Sequence, residues 1–246
     1  MSFSGKVTIV TGGALGIGGG IARKFSEKGS KIVIADIDKD SAIKNSKKII
    51  AMGGECEFVK TDVSKSSDIK NMIDFTLDKF GRIDNLIQNA FSTANNSSFG
   101  GSALEVDEKN WDQGIAMLQK AIYLGAKYAG NELIKNNGNI INISSVHGLL
   151  MSKGALIYEA GKSAVIGMTK QMACDFGPLG VRVNAIAPGE VDTGILSEGT
   201  KDMIKDLPLR RLGSPQEVAD TIFYLCSDQS TYVSGTEIEI NGGQHV

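Results

Sequence analysis

The chain lacks an excess of either charge: 26 Lys and Arg stand against 28 Asp and Glu in 246 residues, a formal net charge of −2. Without a basic footprint, nucleic acid and anionic membranes are excluded as natural partners. Cysteine is scarce. Cys56, Cys174 and Cys226 are far apart, odd in number and outside any CxxC or His/Cys ligand spacing. That pattern argues against a disulfide framework and against a metal site, and free thiols match a reducing, cytoplasmic compartment. No window approaches the ~18–20 apolar residues of a membrane span, and the first residues, Met1 to Lys6, lack the basic-then-apolar order of a secretory signal. Proline is rare too, 4 residues against 30 glycines. So much glycine without a period points to tight turns and close backbone approaches. With 41% apolar and 22% charged residues, disordered, collagen-like and coiled-coil classes are excluded.

What is present is an alternation. Short β-branched runs at 7–10, 31–35, 57–59, 86–88, 139–143, 181–186 and 237–240 are interleaved with amphipathic stretches at 16–28, 40–51, 66–79, 107–136, 155–176 and 215–227. Continuous apolar runs between helical patterns are the mark of strands buried on both faces. Seven of them predict an α/β fold, one doubly wound domain spanning 1–246 with a seven-stranded parallel sheet. Two irregular stretches, near 91–107 and 190–215, follow strand ends, where open α/β sheets bind ligands. They are candidate substrate walls, although for 92–102 a plain surface loop is an equal reading.

The first strand runs into Thr11-Gly12-Gly13-Ala14-Leu15-Gly16-Ile17-Gly18 and then a helix. Glycines there let the backbone approach a pyrophosphate, and the helix N-terminus supplies free amides and a favourable dipole. Gly19 and Gly20 read as close helix packing. Asp36 ends the next strand, where an acid accepts both ribose hydroxyls of an adenosine. A carboxylate facing a 2′-phosphate is repulsive, and neither position 37 nor the loop carries a compensating Lys or Arg. NAD is therefore favoured over NADP, with an N-cap or turn role for Asp36 as the alternative.

Tyr158 and Lys162 stand one helical turn apart, so they share a face. A lysine beside a phenol favours the phenolate and draws its pKa down toward working pH, as a general acid/base needs. Tyr123 and Lys127 form a second copy of the spacing, with Tyr123 read as a core or interface residue. Ser145, just past the strand 139–143, separates the two: its hydroxyl could face the same point as Tyr158.

These residues resemble the short-chain dehydrogenase/reductase family over essentially the whole chain. The glycine loop matches its TGxxxGxG, Asp62-Val63 resembles its adenine-contacting pair, and Asn89-Ala90 the start of its NAG turn. Ser145, Tyr158 and Lys162 fall on its catalytic serine, tyrosine and lysine. The segment 184–193 resembles its nicotinamide-side loop, and 233–243 its last strand. The resemblance implies a Rossmann-type sheet, hydride transfer between NAD and a secondary alcohol or ketone, and a homotetramer built on the long helical regions 107–136 and 155–176. It assigns Gly12, Leu15, Gly16, Ile17, Gly18, Asp36, Asp62, Val63, Asn89, Ala90, Tyr158, Lys162, Pro188, Gly189, Val191 and Thr193 to the cofactor.

Two positions depart from the family. Leu118 stands where an asparagine usually supports proton exit from the lysine, which puts that relay in doubt. Phe91 replaces the glycine of the NAG turn, either as core packing or as a ring narrowing the site. His147 and Glu190 are further candidate substrate contacts, each with a surface role as the alternative, while Leu149, Leu150 and Met151 suggest an apolar wall or a subunit contact. The leading expectation is an NAD-dependent dehydrogenase of a small secondary alcohol, sugar or polyol. The alternatives are an NADPH-linked 3-oxoacyl thioester reductase, which Asp36 opposes, and an NAD-binding protein with little or no turnover, which Leu118 alone supports.

Overall fold

The structure is a computed structural model that describes residues 2–91, 100–194 and 204–245. Seven strands, β1 (Val7–Thr11), β2 (Lys31–Asp36), β3 (Cys56–Lys60), β4 (Asn85–Gln88), β5 (Asn139–Ile143), β6 (Arg182–Pro188) and β7 (Glu237–Ile240), form one sheet. Their order is β3-β2-β1-β4-β5-β6-β7, and every neighbouring pair is parallel. The order reverses direction between β1 and β4, the topological switch point beside which open α/β sheets bind ligands.

The inner strands carry long apolar runs because their alternating side chains are buried on both faces of the sheet. Ile9 joins Val33, Leu86, Ile140 and Val183 on one face, whereas its neighbour Val10 joins Ile34, Ile87, Ile141 and Ile186 on the other. The first face is covered by α3 (Ser66–Phe80), α5 (Ala121–Lys135) and part of α6 (Leu156–Phe176). The second is covered by α1 (Gly16–Glu27), α2 (Lys39–Ala51) and α7 (Pro215–Cys226). Each fully buried isoleucine or valine contributes roughly 1.5–3 kcal/mol. Under the second face Phe3, Phe25 and Phe223 pack with ring centres 4.6–5.6 Å apart. α1 and α7 touch so closely that a Cβ on Gly20 would lie 2.8 Å from Pro215 Cβ, which accounts for a glycine inside a helix.

The stretch expected as one helix over 107–136 is instead interrupted. α4 (Glu108–Ile115), capped by the Asp107 side chain, leads into a single π turn at Ala116–Lys120 before α5 begins. Here α4 and the turn lie against α6: a Cβ on Gly114 would stand 2.1 Å from Ile157 Cγ2, and one on Gly161 would meet Leu118 Cδ1 at 2.4 Å. The widened turn seats Leu118 on α6 beside Lys162, and such turns cluster at functional sites. Among the described residues, no helix is long and apolar enough to cross a membrane.

Candidate active site

The glycine loop leaves β1 at the carboxyl edge of the sheet. A Cβ on Gly18 would lie 2.1 Å from the Gly12 carbonyl oxygen, and one on Gly12 would press on Ala90 Cα and Asn89 Nδ2 at 2.9 Å, so both positions demand glycine. Gly12 also has φ +65°. Asn89 fastens the end of β4 to this loop by donating from Nδ2 to the carbonyls of Thr11 (3.0 Å) and Gly12 (3.2 Å). Thr11 Oγ1 accepts from the Asn89 and Ala90 amides at 2.9 and 3.1 Å. The N-cap of α1 is Leu15, which makes no side-chain cap, and the first turn holds no acid. Its amides are thus left for an anion, as a pyrophosphate would be. Leu15 is exposed over the loop, while Ile17 packs into the core below.

Asp36 stands at the end of β2 against the same loop. Its Oδ2 accepts from the Ala14 amide (3.0 Å) and its Oδ1 from the Asp38 amide (2.9 Å). The capping role belongs to Asp38, which accepts from Ser41, so Asp36 keeps a turn contact without being the cap. Each carboxylate oxygen retains a lone pair for a ribose hydroxyl. Asp62 is held by the Ser64 amide and hydroxyl and by Lys65, and Val63 lines a small cavity with Thr11, Gln88 and Ala90.

β5 and α6 bring Ser145, Tyr158 and Lys162 together. Ser145 is buried just past β5, and its Oγ accepts from the His147 amide at 3.1 Å. Lys162 is buried too, and its Nζ donates to the Ile143 carbonyl at 2.7 Å, with the rings of Phe91 and Tyr158 centred 5.7 and 5.8 Å away. Burial pushes its ammonium down to about 8. The sequence expectation that Lys162 lowers the Tyr158 phenol does not hold in the chain by itself. Burial raises the phenol and outweighs a lowering hydrogen bond with Ser145, and the charge of Glu190 raises it further. The reason is geometric: the ammonium points to the Ile143 carbonyl and is itself desolvated.

The candidate substrate contacts gather around Tyr158. Phe91 packs on the Tyr158 ring at 4.9 Å and joins the apolar cluster of Leu118 and Ile157, so it is both core packing and a wall of the site. His147 lies 6.2 Å from the Tyr158 ring, and its Nδ1 meets Glu159 Oε1 at 3.0 Å. The nicotinamide-side loop follows β6, which ends at Pro188. A Cβ on Gly189 would press on Asn241 at 2.8 Å, and the Glu190 amide donates to Gln244. Val191 pairs with Gly213, and Thr193 Cγ2 reaches within 3.2 Å of where a Gly16 Cβ would be, drawing this loop over the glycine turn. Of the two expected substrate walls, 92–99 and 195–203 lie outside the described residues. Tyr123 is not a core residue in this chain. It is 46% exposed on α5, and Lys127 Nζ donates to its hydroxyl at 3.2 Å.

Sequence reasoning missed Thr11, the joint acceptor for Asn89 and Ala90. It missed the buried chain from Gln88 to Asn142 to Thr169 beneath the site, and Asn45, whose Nδ2 supports the Gly13 carbonyl. It also missed Glu159, a buried carboxylate immediately after Tyr158. Glu159 carried a faint signal, since a lone acid between Tyr158 and Lys162 needs a partner once buried.

A nicotinamide-cofactor oxidoreductase is the class this fold and edge define, and the chain belongs to the short-chain dehydrogenase/reductase family. A family model described as enoyl-(acyl carrier protein) reductase matches residues 12–245. The chain is 36% identical over 248 residues to the 2,5-dichloro-2,5-cyclohexadiene-1,4-diol dehydrogenase LinX of Sphingobium indicum, covering 99% of this chain and 97% of that one. It is 34% identical to the 3-oxoacyl-[acyl-carrier-protein] reductase of Thermotoga maritima, covering 99% of both chains. With glucose 1-dehydrogenase 2 of Bacillus subtilis it shares 34% identity, covering 98% of this chain and 95% of that one. A solved short-chain dehydrogenase/reductase of Serratia marcescens superposes with a TM-score of 0.93 at 27% identity over 100% of both chains. A blue fluorescent protein from a metagenomic library, in complex with NADPH, gives 0.92 at 25% identity over 100% of both.

Proposed function

We propose that the protein is an NAD-dependent dehydrogenase of a small hydroxylated secondary alcohol, a cyclic diol, polyol or sugar. The observation that carries this reading is the convergence of Ser145, Tyr158 and Lys162 at the carboxyl edge of the sheet, beside an uncapped glycine turn and the Asp36 carboxylate. The bound nicotinamide supplies hydride acceptance. The protein supplies position and a proton route. The glycine turn receives the pyrophosphate, Asp36 the adenosine ribose, and Asn89, Ala90, Val191 and Thr193 border the nicotinamide end. Tyr158, as phenolate, takes the hydroxyl proton of the alcohol, while Ser145 Oγ hydrogen-bonds the reacting oxygen. Lys162 would hold the nicotinamide ribose, and its positive charge beside the phenol would favour the phenolate.

A 3-oxoacyl thioester reductase is the second reading, favoured by the Thermotoga maritima relative. Asp36 weighs against its NADPH. Substrate choice leans toward hydroxylated rings because polar groups of His147 and Glu190 border Tyr158, and two relatives bear the names of a diol and a glucose dehydrogenase. A homotetramer, paired through α4, α5 and α6, belongs to the same proposal. The experiment is a panel of cyclohexane-1,2-diol, inositol and glucose, each with NAD and NADP in parallel, and a 3-oxoacyl thioester with NADH and NADPH in parallel, followed by nicotinamide absorbance. Turnover of a hydroxylated ring with NAD supports the reading; turnover of the thioester alone with NADPH overturns it.

A further inference from the structure

We infer that the proton taken up by Tyr158 leaves through His147, oriented by Glu159, and not along the Lys162 side of the site. The inference rests on the reading of Tyr158 as the base. Next to Lys162 in the chain, a Cβ on Gly161 would meet Leu118 Cδ1 at 2.4 Å, and Leu118 and Ile157 are buried in an apolar cluster with Phe91, Val106, Trp111 and Met117 packed on them. A proton path needs donors and acceptors, and an ordered water needs two to four polar partners, of which the side chains of this cluster supply only the Trp111 indole N–H.

On the other side of Tyr158 the groups are polar. The ring centres of His147 and Tyr158 stand 6.2 Å apart, so the imidazole lies beside the phenol, and the inferred route runs through one water or substrate hydroxyl between them. Ser145 Oγ accepts from the His147 backbone amide at 3.1 Å, which fixes the backbone that carries the imidazole, and also hydrogen-bonds the phenol. Glu159 is buried, and its Oε1 accepts both from the Ser152 amide at 2.6 Å and from His147 Nδ1 at 3.0 Å. A carboxylate only accepts, so Nδ1 carries a hydrogen and neutral His147 presents Nε2 as a lone pair. The imidazole is part exposed, with the side chain at 31%, so it reaches both the site and solvent. Among the described residues, the charged and titratable groups around this corner are Glu159, Tyr158 and Lys162 on α6 and Glu190 beyond β6.

In oxidation the alcohol O–H bond breaks and its proton goes to the Tyr158 phenolate oxygen, while the hydride goes to the oxidised nicotinamide. The new Tyr158 O–H then breaks and its proton goes to the bridging water or hydroxyl oxygen, whose own O–H breaks to form the Nε2–H bond of His147, and the imidazolium releases its Nε2 proton to bulk water. His147 is a catalytic residue in this scheme and Glu159 a positioning residue.

The chain has two histidines, His147 and His245, so a nitrogen-15 spectrum of the whole protein is assigned by one His245→Gln variant. The expected spectrum shows His147 protonated on Nδ1, with that tautomer lost in Glu159→Leu. Kinetically, with a panel alcohol and NAD, His147→Gln lowers kcat about 100-fold at nearly constant KM. In a single turnover read with a pH-indicator dye, proton release then lags behind reduced nicotinamide, and free imidazole added to His147→Ala restores it. A dominant Nε2–H tautomer, a His147→Gln effect confined to KM, or failure of imidazole to restore release overturns the route. If Tyr158→Phe instead retains turnover, the base assignment is what fails.

Discussion

Replacing Lys162 by methionine isolates the energetic consequence of a buried amine. Lys162 is 5% exposed, and its ammonium falls from 10.5 to about 8 through burial. The unfolded chain therefore holds this proton more tightly than the native one, and native stability rises with pH as the site discharges from about pH 8 toward 10.5. Below about pH 8 the full penalty is present, roughly 3 kcal/mol near pH 7, falling to roughly 2 kcal/mol near pH 9. Two thiols work the other way. Burial raises Cys56 to about 11 and Cys226 to about 12, so the native state keeps protons that the unfolded chain releases from about pH 9 upward, and stability falls there. The wild-type profile alone mixes these effects. The difference between wild type and Lys162→Met does not, because both thiols remain in each. Methionine removes the charge penalty and also the bond to the Ile143 carbonyl, the latter worth about 1 kcal/mol at any pH. The variant is expected to be more stable by about 2 kcal/mol near pH 7, with that advantage shrinking by about 1 kcal/mol near pH 9. Urea unfolding of both proteins at the two pH values measures this. A stability gap that does not shrink between the two pH values would refute the argument that burial penalises the charged form of Lys162.

Asp36→Ala is expected to erase a preference for NAD over NADP of at least ~10-fold, about 1.4 kcal/mol, and parallel cofactor titrations that find no change remove Asp36 from that role. Tyr158→Phe should lower kcat at least ~100-fold with cofactor affinity nearly constant, whereas Tyr123→Phe, on the exposed side of α5, should leave kcat alone. Similar kinetics for the two would mean the wrong tyrosine has been chosen. Leu118→Asn puts an amide into the hydrocarbon between Gly161 and Ile157 and is expected to cost roughly 2–4 kcal/mol in thermal or urea unfolding. It should not raise activity; a rise of ~100-fold from a near-zero rate would favour a cofactor binder that lost its relay.

The inner strands were legible because their side chains are apolar on both sides, as at Ile9 and Val10, a pattern that fits a parallel sheet covered on both faces. The glycine turn was legible because Gly12 and Gly18 meet backbone that tolerates no side chain. The π turn was not. Whether a helix keeps its pitch at 116–120 is decided by Gly114 and Gly161 meeting side chains from the facing element, and a one-dimensional periodicity carries no such contact. The direction of the Tyr158 shift was missed for a related reason. Spacing put Lys162 on the same helical face, but the Ile143 carbonyl, from another element, claims its ammonium.

Leu118 and Phe91, read separately along the chain, were two departures from one family pattern, each able to weaken the site. Folded, they belong to one apolar cluster that also holds Ile157, one residue before Tyr158. A leucine in place of a polar residue takes a donor and an acceptor away from the neighbourhood of Lys162, and a phenyl ring in place of glycine adds an aromatic face 5.7 Å from its ammonium. Such a face attracts a desolvated cation by about 1–2 kcal/mol, which offsets part of what burial costs. The pair therefore reads as a coherent repacking that seals one side of the site while still holding the lysine. On the other side of Tyr158 stands the polar corner of Ser145, His147 and Glu159, the corner through which the proposed proton route runs.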